Sequence, residues 1–158
     1  MVVVFSAAVF LSATLLFLVQ PIVARLVLPL LGGTPAVWNT CVLFFQSLLL
    51  VGYAYSHFLT KVRSGRAQVI VHSVVGLAML ATLPIGLPFV REVPPGEPIR
   101  WLLWTLVVAV GVPFALLAAT GPLLQRWFSR TDHPSAHDPY FLYAASNAGS
   151  LLALFGYP

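Results

Sequence analysis

The segment from Asp132 to Asp138 sets two imidazoles, His133 and His137, among two carboxylates. Those are ligand types that hold a divalent metal, but a metal site needs three or four of them converging in rigid geometry. Pro134 and Ser135 between the histidines mark a loop, so the segment is read as a solvated connection, with no metal or other cofactor expected. Elsewhere the chain shows no Gly-rich phosphate loop, no nucleophile elbow and no pair of carboxylates placed for acid–base work. No catalytic residue is assigned.

The remaining residues able to do chemistry lie in apolar sequence. Asn39, Gln46 and Tyr53 recur seven residues apart, and His57 follows one turn later. On a helix they drift by only about 20° per step and form one polar stripe. In lipid such side chains are expected to turn inward and bond other helices, at ~0.6 kcal/mol per bond. The stripe therefore marks either a packed interhelical face or the wall of a substrate path. A second set, Tyr140, Tyr143, Asn147 and Ser150, shares one side of a later helix, with the small residues Ala145, Gly149 and Ala153 on another. Small residues four apart allow close helix docking. His72, alone in its helix, reads as a hydrogen-bonded interior residue.

Polarity also interrupts the stretch from Val19 to Trp38, through Gln20, Pro21, Arg25, Pro29 and the Gly32-Gly33 pair. An arginine at membrane depth costs roughly 3 kcal/mol unless it reaches the interface or finds a partner. Arg25 either snorkels, pairs with a helix carbonyl, or meets an anionic group. No acidic residue lies inside any predicted helix, which weighs against cation transport.

The elements that must position these residues follow from composition. Of 158 residues, 59% are hydrophobic and 8% charged, against about 25% charged in an ordinary soluble domain. Residues 1–24, 26–60, 67–90, 101–125 and 139–158 contain no Asp, Glu, Lys or Arg. Each run reaches the ~20 residues that a helix needs to cross the hydrocarbon. The expected fold is all-α, a polytopic transmembrane bundle of about five spanning helices in one domain over residues 1–158. A cleavable signal peptide is not expected, since no basic segment precedes the first apolar run.

Helix 1 is predicted from Val2 to about Leu28, kinked at Pro21 and ended by Pro29 and the two glycines. Thr34 as N-cap with Pro35 behind it opens helix 2, which runs to about Leu59. Helix 3 extends from Ala67 to about Leu83, before the Pro84, Gly86 and Pro88 cluster. Helix 4 runs from Trp101 to about Gln125, with breaks expected at Gly111 to Pro113 and at Thr120 to Pro122. Asp138 and Pro139 repeat the cap-plus-proline signal for helix 5.

The net charge of +4 is dispersed among short loops, with no basic helix face for nucleic acid. Lys61, Arg63, Arg66, Arg126 and Arg130 occupy two connections on one side, while the connection between helices 3 and 4 balances Arg91 and Arg100 against Glu92 and Glu97. The positive-inside rule then puts the N-terminus in the cytoplasm of a bacterial inner membrane. Cys41, the only cysteine, cannot form an internal disulfide.

Three motifs carry a family resemblance: F-L-V-Q-P-I-V-A-R-L-V-L-P-L-L-G-G-T-P-A-V-W from Phe17, F-F-Q-S-L-L-L-V-G-Y-A-Y-S-H from Phe44, and D-P-Y-F-L-Y-A-A-S-N-A-G-S-L-L-A-L-F-G-Y-P from Asp138. Together they resemble the membrane half of bacterial integral-membrane spermidine synthase-like proteins. The resemblance implies a transporter-like helix bundle joined to a polyamine-synthase-type domain that binds decarboxylated S-adenosylmethionine and an amine. It marks Gln20, Pro21, Arg25, Pro29, Gly32, Gln46, Gly52, Tyr53, His57, Tyr143, Asn147 and Gly149 as motif positions. The cofactor loop and the acidic residues of the catalytic half are expected beyond Pro158, in a longer protein. The function expected is a non-catalytic membrane domain that anchors or serves that half. The alternatives are a transporter-like bundle moving a small metabolite or polyamine, and a structural assembly module. Expected partners are the lipid bilayer and the further helices and soluble domain of the same protein, with no nucleic acid and an unspecified small molecule.

Overall fold

Side-chain capping fixes where two of the helices begin. The computed structural model describes residues 1–81, 93 and 96–157, and among these every regular element is helical. Helix α1 spans Val2–Leu31 and ends at Gly32, whose positive φ of 76° suits a residue without Cβ. It outruns the predicted end near Leu28 and passes through both Pro21 and Pro29. Each proline removes a single i→i−4 bond, and tertiary neighbours hold the rest of the cylinder together.

Helix α2 spans Pro35–Leu59, as the cap-plus-proline signal predicts, and the Thr34 hydroxyl accepts from the Val37 N–H at 3.4 Å. Helix α3 spans Gly65–Leu80 and opens two residues before the predicted Ala67, because the Ser64 hydroxyl accepts from the Ala67 N–H at 3.3 Å. The predicted end near Leu83, the Pro84 to Pro88 cluster, and Arg91, Glu92, Pro94 and Pro95 lie outside the described residues.

The predicted fourth helix is longer than expected, and its two breaks differ. It comprises α4 at Pro98–Leu106, a π-helical stretch at Val107–Gly111, and α5 at Val112–Phe128. The wide turn sits directly upstream of Pro113, where the proline has no N–H to offer Ala109 and a wider i→i+5 pattern relieves the ring. At Pro122 the helix continues unbroken. A 3₁₀ turn at Pro134–His137 then leads to α6 at Tyr140–Gly156. Asp138 does not cap α6. Its N–H ends the 3₁₀ turn by donating to the Ser135 carbonyl at 3.3 Å, and Pro139 takes the N-cap position with no side-chain bond.

The helices pair in parallel. Val9 of α1 packs with Leu142 of α6 at one end, and the Tyr157 hydroxyl donates to the Pro21 carbonyl at 3.4 Å near the other. Likewise α2 follows α4 and α5, with Val37 and Leu102 in one buried cluster and Leu59 and Leu123 in another. Two glycines set the spacing of these pairs. A Cβ on Gly52 would lie 2.6 Å from the Ala115 carbonyl oxygen and 2.7 Å from the Ala118 methyl. A Cβ on Gly149 would overlap the Phe10 carbonyl oxygen and lie 2.9 Å from the Thr14 hydroxyl. The main apolar cluster joins Val23 and Val27 of α1 to Phe45, Leu102, Leu106 and Phe114, with the Phe45 and Phe114 rings 4.8 Å apart.

Three helical stretches, Val2–Leu31, Pro35–Thr60 and Pro98–Phe128, are long and apolar enough to cross a membrane. The other two expected crossings, α3 and α6, have 16 and 17 residues. At 1.5 Å per residue they reach only about 24–26 Å of the ~30 Å hydrocarbon thickness. The connection after α2, the connection after α5 and the N-terminus share one end of the bundle, where Phe5, Phe128 and Phe141 stack edge to face.

Candidate functional site

Two neighbouring cavities lie against α1 between α2 and α6, and α5 completes the wall of the second. At one end Gln20 and Pro21 of α1 meet Trp38, Cys41 and Gln46 of α2 around a cavity of about 350 Å³. At the other end Tyr53, Gln125, Tyr143, Ser12 and Ser146 surround a second cavity of about 280 Å³. Phe17 lines both.

Proline chemistry frees two backbone carbonyls on residues that line these cavities. Pro21 cannot donate, so the Phe17 carbonyl loses its ordinary helical partner, and Pro122 does the same to Ala118. Pro21 and Phe17 line the first cavity, Pro122 and Ala118 the second. Backbone carbonyls released in this way are tolerated at membrane depth where they face protein or a polar cavity. With the amides of Gln20, Gln46 and Gln125 and two tyrosine hydroxyls, the cavities offer hydrogen-bonding groups and no carboxylate. Such a surface can hold an uncharged polar molecule or a file of water.

The stripe residues are partly gathered here. Gln46 joins Gln20 in the first cavity and Tyr53 joins Tyr143 in the second, whereas Asn39, His57 and Asn147 are exposed and line neither. The reason lies in the buried face of α2, which runs through Val37, Cys41, Phe45, Gly52 and Ser56. Gly52 must face α5, and that turns the neighbouring Tyr53 and the rest of the stripe toward the cavity edge and the outer surface. Arg25 is exposed, with no carboxylate within 4 Å among the described residues. His133 is occupied locally, its Nδ1 accepting from the Ser135 N–H at 3.1 Å and its ring lying 5.5 Å from Phe128.

A second polar constellation includes His72, which the sequence singles out, and Gln68, which it does not. Gln68 of α3 is fully buried. Its Nε2 donates to the Val62 carbonyl at 2.6 Å and the Thr60 carbonyl at 3.4 Å, and its Oε1 accepts from the Trp127 Nε1–H at 2.9 Å. One turn on, His72 Nε2 lies 3.1 Å from the Thr120 hydroxyl, which itself donates to the Leu116 carbonyl at 2.8 Å. With the Thr120 proton on the Leu116 carbonyl, the hydroxyl oxygen is free to accept from an Nε2-protonated His72. The Tyr55 hydroxyl and His72 Nδ1 are buried without a hydrogen-bond partner among the described residues, their rings 5.9 Å apart. The signal for Gln68 was its isolation as an amide in an apolar helix. Its partner Trp127 lies 59 residues away, and spacing within one helix cannot reveal it.

Compared with known proteins, the chain matches no family model, no curated protein and no solved structure.

Proposed function

We propose that this chain is a non-catalytic, membrane-embedded helix bundle, the membrane half of a spermidine synthase-like protein, which anchors or serves an aminopropyltransferase-type domain. One observation supports the membrane part of this reading above all others. Large apolar side chains stand outward on the helices, with Leu43 64% exposed, Leu50 69% and Phe155 86%, while close backbone contacts at Gly52 and Gly149 fill the inside. Folding in water would not leave so extensive an apolar surface outside, whereas lipid makes that arrangement neutral and leaves packing to hold the helices. The three motifs that carry the family resemblance support the finer assignment.

Extraction of cell membranes at alkaline pH tests the first part, since an embedded chain stays in the pellet. Release into the supernatant would overturn it. The anchoring role is tested by separating this chain from an aminopropyltransferase domain and following that domain's distribution: it should leave the membrane fraction when the chain is removed. The purified chain alone should transfer no aminopropyl group.

The cavities favour a second reading, passage or binding of a small polar molecule between α2 and α6. Single cysteines placed by Gln46→Cys and Tyr53→Cys in a Cys41→Ala background should then both react with a hydrophilic maleimide in intact membranes. Protection at both positions would sink this reading and leave the anchoring role.

A further inference from the structure

Gln68 ties together two segments that are both basic. Its amide holds the carbonyls of Thr60 and Val62 on one side and the Trp127 indole on the other. The first segment carries Lys61, Arg63 and Arg66, the second Arg126 and Arg130, and all five side chains are exposed. The one ion pair among the described residues, Arg100 with Glu97 at 3.2 Å, sits at the start of α4, at the opposite end. Among the described residues none of the five cations has a carboxylate within 4 Å, and the acids of this end, Asp132 and Asp138, are exposed in the following loop. Lys61 Nζ lies 4.9 Å above the ring of Phe58, which is itself exposed, so positive charge borders apolar surface. Val62, Val69 and Ile70 extend that apolar border on both sides of the turn.

We propose that this end of the bundle is a binding platform for the phosphate of anionic phospholipid headgroups, assembled by Gln68. The proposal rests on the membrane-embedded reading above. Guanidinium groups match phosphate oxygens in a bidentate manner, and a lysine adds a point charge. A lipid fits better than a free anion because the cations are continuous with an apolar surface that acyl chains can cover. A cation near an anionic membrane surface gains about five-fold in affinity per charge, and the tie made by Gln68 concentrates five of them.

Trp127 supplies the readout, because it lies within the platform and the other tryptophans can be replaced by Trp38→Phe, Trp101→Phe and Trp104→Phe. The full chain is reconstituted in bilayers that mix phosphatidylcholine and phosphatidylglycerol, with bromine on the chains of one lipid or the other. Brominated phosphatidylglycerol should quench Trp127 well beyond its mole fraction. The combined Lys61→Gln, Arg63→Gln, Arg66→Gln, Arg126→Gln and Arg130→Gln variant should lose that preference by at least ten-fold. Gln68→Met, which keeps every charge, should weaken it several-fold, and Arg126→Gln with Arg130→Gln gives an independent measure if Gln68→Met lowers the helix content. Equal quenching by both lipids in the parent chain would overturn the platform alone. Quenching by neither would overturn the membrane-embedded reading with it. Displacement of the lipid by millimolar inorganic phosphate would assign the site to a soluble anion and overturn the lipid assignment.

Discussion

The carbonyl oxygen of Gly149 lies 3.2 Å from the Thr14 hydroxyl, across the seam between α6 and α1. That hydroxyl also lies 2.8 Å from the Phe10 carbonyl, so one proton serves an acceptor in each helix. The contact exists because position 149 has no side chain to hold the helices apart.

Gly149→Ala and Gly52→Ala should each destabilise the bundle by about 1–3 kcal/mol, since both would press a methyl into backbone of the neighbouring helix. Gly121→Ala should act in the opposite direction. It lies inside α5 with nothing within 4 Å of its would-be Cβ, and an alanine there should stabilise by about 0.5–1 kcal/mol. Denaturant titration of the purified chain in detergent, followed by circular dichroism, checks all three. Equal effects at the three glycines would refute the close-approach argument.

Removing the side chain of Gln68 should be among the costlier single changes. Gln68→Leu would leave the Trp127 indole N–H and the Val62 carbonyl without their present partner, at about 1–3 kcal/mol for each buried group left unpaired. The same titration measures the loss, and Trp127 fluorescence should shift as the indole loses its acceptor.

Tyr55→Phe should do no harm. The Tyr55 hydroxyl is buried without a partner among the described residues, so its removal is expected to be neutral or to stabilise by about 1 kcal/mol while keeping the ring against His72. A loss above 1 kcal/mol in the same titration would mean that the hydroxyl is bonded in the bilayer.

The orientation expected from loop charge is testable with single cysteines in a Cys41→Ala chain. Arg63→Cys should resist a membrane-impermeant maleimide in intact cells, and Gly96→Cys should react. The reverse pattern would put the N-terminus outside.

Much of the local architecture was legible from residue order. The uncharged runs 1–24, 26–60, 67–90, 101–125 and 139–158 marked the apolar helices, and Thr34 with Pro35 located the start of α2 to the residue, because capping and proline effects act within one turn. Pro29 misled: the rule that proline ends a helix is local, whereas α1 continues through it to Leu31. Ser64 as a cap went unread, and Asp138 was assigned a cap that the 3₁₀ turn took for itself.

The candidate site divides in the same way. Sequence singled out Gln20, Gln46, Tyr53, His57 and Asn147 as polar residues in apolar helices, because that mismatch is visible from composition. It could not say which of them share a cavity, since that depends on the rotation of α2, and Gly52 against Ala115 and Ala118 sets that rotation. Only the tertiary structure pairs Gln20 with Gln46 and Tyr53 with Tyr143, exposes Asn39 and Asn147, and ties Gln68 to Trp127. Periodicity along one helix determines which residues share its faces. Which face meets which neighbour is a property of the packed bundle, decided where a missing side chain lets two backbones touch.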